Sequence, residues 1–215
     1  MSTKRFQGAI AAIICAASFI IGLMVVLIIV PDFNHGPEYR LAVFAQHKLL
    51  MQFWYFCVYV VFSIALLFLS RALLTSAEEE PTFLEQITVL ASYMWACYIF
   101  ACGVIAILSI EFLYTVEDGV RQMSELWRQI YAIQMGLGEG VEWVGGIWVV
   151  LMNSCLYLRQ QFPKALLFSG FFIGFIGLLT LYRPLAEVGA LFGLLQIGWF
   201  VAVSYSLFKT AKVAR

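Results

Sequence analysis

The sequence predicts an all-α protein, a polytopic membrane helix bundle with about six transmembrane helices and one amphipathic interfacial helix. Hydrophobic residues make up 63% of the chain and charged residues only 12%, whereas soluble domains carry about 25% charged residues. The mean hydropathy is +0.91. The apolar residues also form long runs, with most charges between them. We therefore expect a single transmembrane domain over residues 1–215.

Six apolar runs are long enough, or nearly so, to cross the hydrocarbon core, which takes ~20 helical residues. The predicted spans cover about 8–30, 49–70, 87–114, 141–158, 165–182 and 186–208. The first run follows Lys4 and Arg5, as a signal peptide does, but it exceeds the ~7–15 apolar residues of a signal peptide. We therefore expect it to be retained as a span. The last two runs are joined by a short turn containing Pro184, which suits the first turn of a helix.

The connections between the runs differ in character. Residues 31–48 are polar and are predicted to form a loop. Between the third and fourth spans, apolar residues recur at helical spacing with charged residues between them: Val116, Val120, Met123, Trp127, Ile130 and Tyr131. This pattern predicts an amphipathic helix over about 116–133 at the membrane interface. The glycine-rich residues 136–140 are predicted to be a flexible joint before the fourth span.

The positions of Lys and Arg predict the orientation, because basic residues concentrate on the cytoplasmic side of membrane proteins. With a cytoplasmic N-terminus, eight basic residues lie inside: Lys4, Arg5, Arg71, Arg159, Lys164, Lys209, Lys212 and Arg215. Five lie outside: Arg40, Lys48, Arg121, Arg128 and Arg183. Most carboxylates fall on the outer side instead. We expect a multi-pass membrane protein with both termini cytoplasmic and its polar chemistry at the outer mouth.

One candidate ligand-binding face lies at the start of the fourth predicted span. Glu139, Glu142, Gly146 and Asn153 are spaced by 3, 4 and 7 residues. At ~3.6 residues per turn, this spacing predicts one side of a helix. Ionisable groups inside membranes usually face the bundle interior and are candidates for function. The alternative for Glu142 is a role at the helix end or in packing.

A second polar stripe follows helical spacing along the second predicted span: Lys48, Gln52, Tyr55, Tyr59 and Ser63. It predicts a polar seam or cavity, with interhelical hydrogen bonds and an aromatic belt as the alternative. Glu111 falls in the third span, where an uncompensated charge is costly. We therefore expect it to be protonated, to lie near the membrane interface or to pair with a cation, and Lys48 and Arg183 are the expected partners. The predicted ligand-binding set is Glu139, Glu142, Asn153, Gln52, Tyr55, Tyr59, Glu111 and Arg183.

Several functional classes are disfavoured. The formal net charge is zero, which argues against nucleic-acid binding. His35 and His47 are the only histidines and do not have helical metal-ligand spacing, so no metal or cofactor is predicted. No G-x-S-x-G, H-E-x-x-H or P-loop motif occurs. The bilayer is the predicted partner, together with a small-molecule ligand at the outer face, a membrane-protein partner or a second copy of the chain.

Three functions stay open from the sequence. The first is a non-enzymatic protein that binds or moves a small ligand or supports another membrane protein. The second is a membrane-embedded enzyme that acts on a lipid or isoprenoid. The third is an accessory subunit that docks through small-residue patterns, such as Gly170 with Gly174 and Gly189 with Gly193.

The last ~80 residues also show a familiar pattern. Gly145-Gly146-Ile147-Trp148 starts a span, Arg159 to Lys164 makes a short turn, and a glycine-rich span follows. Arg183-Pro184 and a final span with Trp199-Phe200 and Leu207-Phe208-Lys209 complete it. This stretch resembles the bacterial membrane proteins of domain of unknown function 4386. The resemblance implies a six-helix bundle in a bacterial cell membrane, and it implies no substrate and no catalytic residue.

Overall fold

The computed structural model describes residues 3–74, 80–113, 120–139, 142–160, 162–185 and 187–213. All regular secondary structure in these ranges is helical, which confirms the predicted all-α class. The α-helices in them are α1 (Thr3–Met24), α2 (Pro37–Tyr55), α3 (Phe62–Leu74), α4 (Phe83–Leu113), α5 (Val120–Gly136), α6 (Trp143–Arg159), α7 (Lys164–Leu179) and α8 (Val188–Val213).

Four helical segments in the described ranges are long and apolar enough to cross a membrane. They are Thr3–Ile29, Pro37–Leu74, Phe83–Leu113 and Val188–Lys209. They overlap the first, second, third and sixth predicted spans. Helices α6 and α7 occupy the fourth and fifth, but they contain only 17 and 16 residues. That is below the ~20 residues of a typical span. The fold is therefore a helix bundle compatible with a membrane, with four long apolar helices.

The predicted loop over residues 31–48 is wrong. Pro31–His35 forms a 3₁₀ turn, and α2 begins at Pro37. Gly36 adopts a φ of 128°, which glycine tolerates, and Pro37 suits the first helical position because its ring presets φ. At His47 the backbone leaves helical geometry (φ −131°, ψ 38°), and α2 continues beyond this kink into the predicted second span. The polar segment is thus the first part of a long, kinked helix.

The amphipathic segment forms α5, which begins at Val120; residues 116–119 of the prediction lie outside the described ranges. Its apolar side packs on α2. Trp127 is 1% exposed, its ring centroid lies 4.9 Å from that of Phe44, and its indole N–H donates to the Pro37 carbonyl at 2.7 Å. The helix itself is present. Its place at a membrane interface stays a prediction.

Helices α1 and α8 run antiparallel. The Ser204 hydroxyl donates to the Ala9 carbonyl at 2.8 Å, and a Cβ at Gly193 would lie 3.2 Å from the Phe19 ring. The start of α1 and the end of α8 therefore lie at the same end of the bundle, called the terminal end here. The opposite end, where α1 finishes and α8 begins, is called the distal end.

Buried apolar side chains form two cores. The first core joins α1, α3, α6, α7 and α8 with the first half of α4. The second core lies at the distal end and joins α2, α5 and the second half of α4 with the chain that follows α1. Two wide π-helical turns, Val25–Ile29 after α1 and Phe56–Val61 between α2 and α3, lie where the cores meet. Such turns inside helices are rare and are frequent at functional sites.

Glycines bring α6 and α7 into backbone contact. A Cβ at Gly146 would lie 2.7 Å from the Gly174 carbonyl oxygen and 2.7 Å from the Leu178 nitrogen, closer than real Cβ atoms approach. A Cβ at Gly170 would overlap the Asn153 amide at 2.2–2.3 Å. Small residues in the Gly170 and Gly174 pattern therefore serve close packing within this chain.

Candidate functional site

A buried ion pair joins the start of α2 to the turn after α5. Arg40 is 6% exposed and Glu139 is 2% exposed, and the guanidinium binds Oε1 of Glu139 directly. The Arg40 Nε–H also donates to the Phe33 carbonyl at 3.2 Å, and the guanidinium carbon lies 4.3 Å from the Phe33 ring centroid. The Tyr55 hydroxyl donates to the same Glu139 oxygen at 3.1 Å. These partners together compensate two charges that have left water.

Glu139 is positioned by a glycine-dependent cap at the end of α5. Gly138 has a φ of 104°, in the left-handed region that favours glycine. Its N–H donates to the Met135 carbonyl at 3.1 Å, and the Glu139 N–H donates to the Gln134 carbonyl at 3.0 Å. This pair of bonds is the Schellman motif that ends many helices. Within the described residues 136–139, the predicted flexible joint forms this cap at Gly138, which turns Glu139 towards Arg40; residue 140 of the prediction lies outside the described ranges.

A cavity of about 540 Å³ lies at the distal end beside this ion pair. Its walls are the second half of α1, the junction of α2 with α3, the residues around Glu139 and Glu142, and the start of α8. It is lined by Phe19, Gly22, Leu23, Val26, Leu27, Phe33, His35, Arg40, Trp54, Val58, Tyr59, Glu139, Glu142, Glu187, Gly189, Ala190 and Gly193. A smaller cavity of about 60 Å³ shares Phe19, Val58, Tyr59 and Glu142 with it and reaches Trp95 in the first core.

The cavity combines apolar walls with a few charged groups. Of the three lining carboxylates, Glu139 is paired with Arg40. Glu142 and Glu187 form no ion pair with the basic side chains that the structure describes. One cation against three carboxylates leaves a formal excess of two negative charges when His35 is neutral. His35 and Glu187 are exposed at the rim. This mixture is typical of small-molecule sites.

Three residues of the predicted ligand-binding set line the cavity: Glu139, Glu142 and Tyr59. Tyr55 contacts the site through its hydrogen bond to Glu139. Gln52 and Glu111 belong to a different cluster, in which Glu111 accepts from Lys48 at 2.7 Å and from Gln52 at 2.8 Å. The expected pairing of Glu111 with Lys48 is thus confirmed. The Arg183 side chain lies outside the described part of the chain.

The predicted helical face through Glu139, Glu142, Gly146 and Asn153 is wrong at Glu139. Glu142 immediately precedes α6, and Gly146 and Asn153 lie on it. Helix α6 begins only at Trp143, because the cap at Gly138 ends the preceding helix and Glu139 lies in the connection. Asn153 is fully buried against α7, where its amide N–H donates to the Val149 carbonyl at 2.7 Å. Its contacts are with Gly170 and its own helix, so Asn153 acts in helix packing.

Sequence reasoning missed four important side chains of the site. The predicted loop makes Arg40 a loop charge, and no sequence pattern singles out Phe33, Trp54 or Phe19. The signal for Arg40 was available, because Gly36-Pro37-Glu38 is a helix-start pattern that places Arg40 in the first helical turn. No sequence signal pairs Arg40 with Glu139, since 99 residues separate them.

In the described ranges, no three His, Cys, Asp or Glu side chains group as metal ligands would. The chain matches no family model, no curated protein and no solved structure.

Proposed function

We propose that this chain is a six-span membrane protein that binds or moves a small ligand in the distal cavity. The carrying observation is the cavity itself, which combines an apolar wall with three carboxylates and a buried arginine. Its volume of about 540 Å³ falls within the ~300–1,000 Å³ of known small-molecule sites. In such sites, apolar groups supply most of the contact area and a few polar groups fix the orientation of the ligand.

In this proposal, α6 and α7 cross the membrane as the fourth and fifth spans, and the chain lies in the cell membrane with both termini cytoplasmic. Two observations support it. Arg159, at the end of α6, donates to Glu85 at the start of α4 at 2.7 Å and to the Leu74 carbonyl at 2.8 Å, so α6 runs to the terminal end. The excess of basic residues in the segments at that end supports a cytoplasmic location. The cavity then opens on the outer face.

The resemblance of the last ~80 residues to domain of unknown function 4386 stays a prediction. The resemblance agrees with a six-span bundle and does not indicate a substrate. The proposal therefore depends on the cavity and not on that resemblance.

The ligand-binding proposal is tested by replacing Glu142 with glutamine, which keeps the size of the side chain and removes its charge. We expect at least one compound in a panel of chemically diverse small molecules and pH values to stabilise the wild-type protein in detergent. Linkage of binding to folding raises the melting temperature by about 2–4 °C per kcal/mol for a chain of this size. The Glu142→Gln variant should lose most of that shift.

The matched control is Glu80→Gln, the same change at an exposed residue just before α4, at the terminal end. This variant should respond to the ligand as the wild type does. If no compound in the panel stabilises the wild type, the binding proposal fails. Equal shifts in the wild type and in Glu142→Gln would mean that Glu142 does not contribute to binding.

The six-span topology is tested by labelling single cysteines in intact cells with a membrane-impermeant maleimide, in a background whose native cysteines are alanine. Glu125→Cys on α5 should be labelled from outside. Gln160→Cys at the end of α6 and Glu80→Cys should be labelled only after the membrane is opened. Labelling of Gln160→Cys and Glu125→Cys from the same side would rule out a membrane crossing by α6.

A further inference from the structure

We infer that the ligand of the distal cavity is an organic cation, an ammonium group carried on an apolar body. This inference rests on the proposed binding function and adds the chemical class of the ligand. Three independent features of the cavity support it: an excess of carboxylates, an acceptor oxygen without a partner, and an aromatic wall.

The first feature is the charge of the cavity. Arg40 is committed to Glu139, which leaves Glu142 and Glu187 as the carboxylates that face the cavity without a described ion-pair partner. Each stands just before the first residue of a helix, α6 or α8, where a negative side chain is favoured by the helix dipole. A cleft lined by an excess of one charge raises the local concentration of ligands of the opposite charge. The cavity therefore attracts cations and repels anions.

The second feature is the second oxygen of Glu139. Oε1 is bonded to Arg40 and Tyr55, but Oε2 has no hydrogen-bond partner among the described residues, although the side chain is only 2% exposed. A buried acceptor left without a donor has lost its hydration without gaining a hydrogen bond in exchange. Glu139 lines the cavity while this oxygen is sealed from solvent, so a ligand N–H group would reach and satisfy it once the Glu139 side chain turns towards the cavity.

The third feature is the aromatic wall formed by Phe19, Trp54 and Tyr59. Aromatic faces attract cations electrostatically, most strongly where water is excluded. The same rings, with Leu23 and Val26, provide apolar surface for the rest of the ligand. Arg40 shows this chemistry within the chain itself, since its guanidinium carbon lies 4.3 Å from the ring centroid of Phe33.

The test compares three probes with one aromatic body and different head groups: 4-phenylbutylammonium, 4-phenylbutan-1-ol and 4-phenylbutanoate. Affinities are measured by isothermal titration calorimetry on the full chain in an uncharged maltoside detergent. We expect the ammonium probe to bind about tenfold more tightly than the alcohol, and the carboxylate to bind weakest. The double variant Glu142→Gln, Glu187→Gln should weaken ammonium binding about tenfold and change alcohol binding by less than about twofold.

The control variant is Glu125→Gln, which removes one exposed carboxylate of α5 that does not line the cavity. It should bind the ammonium probe as the wild type does. Equal affinity for the ammonium and the alcohol, a preference for the carboxylate, or an equal loss in Glu125→Gln would overturn the cation assignment. Tight binding of the alcohol or the carboxylate that depends on the cavity would leave the binding function in place. Absence of binding by all three probes would also overturn the cation class, and the diverse panel decides the binding function separately.

Discussion

Replacing Glu139 with glutamine should destabilise the protein by about 3–5 kcal/mol, because it leaves the buried charge of Arg40 without its counter-ion. Arg40 is 6% exposed, and its remaining partners are the Phe33 carbonyl and neighbouring aromatic rings. None of these neutralises a full charge. The measurement is the free energy of unfolding in mixed micelles, obtained by titration with a denaturing detergent.

A double-mutant cycle gives the control for this expectation. The double variant Arg40→Met, Glu139→Met removes both charges, so it should be more stable than Glu139→Gln alone. Tyr55→Phe removes only the hydroxyl that donates at 3.1 Å, and it should cost about 1–2 kcal/mol. The destabilisation of the double variant is compared with the sum for the single variants Arg40→Met and Glu139→Met. If the two are equal, Arg40 and Glu139 are not energetically coupled.

Replacing Gly146 with alanine should destabilise the protein by about 1–3 kcal/mol, because the added methyl group meets the backbone of α7. The ideal Cβ lies 2.7 Å from the Gly174 carbonyl oxygen, 2.7 Å from the Leu178 nitrogen and 2.9 Å from the Gly177 carbonyl carbon. A flexible side chain could move aside, whereas here the two helices must separate. Thermal unfolding in detergent, followed by circular dichroism, measures this effect.

The matched control is Gly198→Ala in the interior of α8, where an added Cβ meets no atom within 4 Å. Alanine is favoured over glycine in a helix by roughly 0.5–1 kcal/mol, so this variant should be as stable as the wild type or slightly more stable. A Gly146→Ala variant as stable as Gly198→Ala would mean that α6 and α7 do not make the close backbone contact described above.

Sequence reasoning located the helices well because their signal is local. A run of apolar residues is sufficient to predict α1, α4 or α8. At residues 31–48 the absence of a long apolar run predicts a loop, and this prediction is wrong. Pro37 starts a helix there whose buried side chains, such as Leu41 and Phe44, face the second core. Polarity alone does not separate a loop from a helix that packs beyond the apolar runs.

The site was harder to predict, because it depends on contacts between distant residues. The spacing of Glu139 and Glu142 predicts one face of a continuous helix through both residues. A single left-handed glycine at Gly138 breaks that continuity. The same cap turns Glu139 towards Arg40, a partner that no periodicity in the sequence could indicate. Both carboxylates line the cavity, but a shared helical face is not what brings them there.

The wide turn at Phe56–Val61 separates two buried stripes of the long helical segment Pro37–Leu74. Met51 and Tyr55 before it face the second core, whereas Leu66 and Leu69 after it face the first. A π-helical turn already holds one residue more than an α-helical turn, so a further inserted residue would rotate one half against the other by about 100°. One of the two buried stripes would then face outward. This segment should therefore accept exchanges of side chains over evolution far more readily than a change in the number of its residues, because that number decides which side chains face each core.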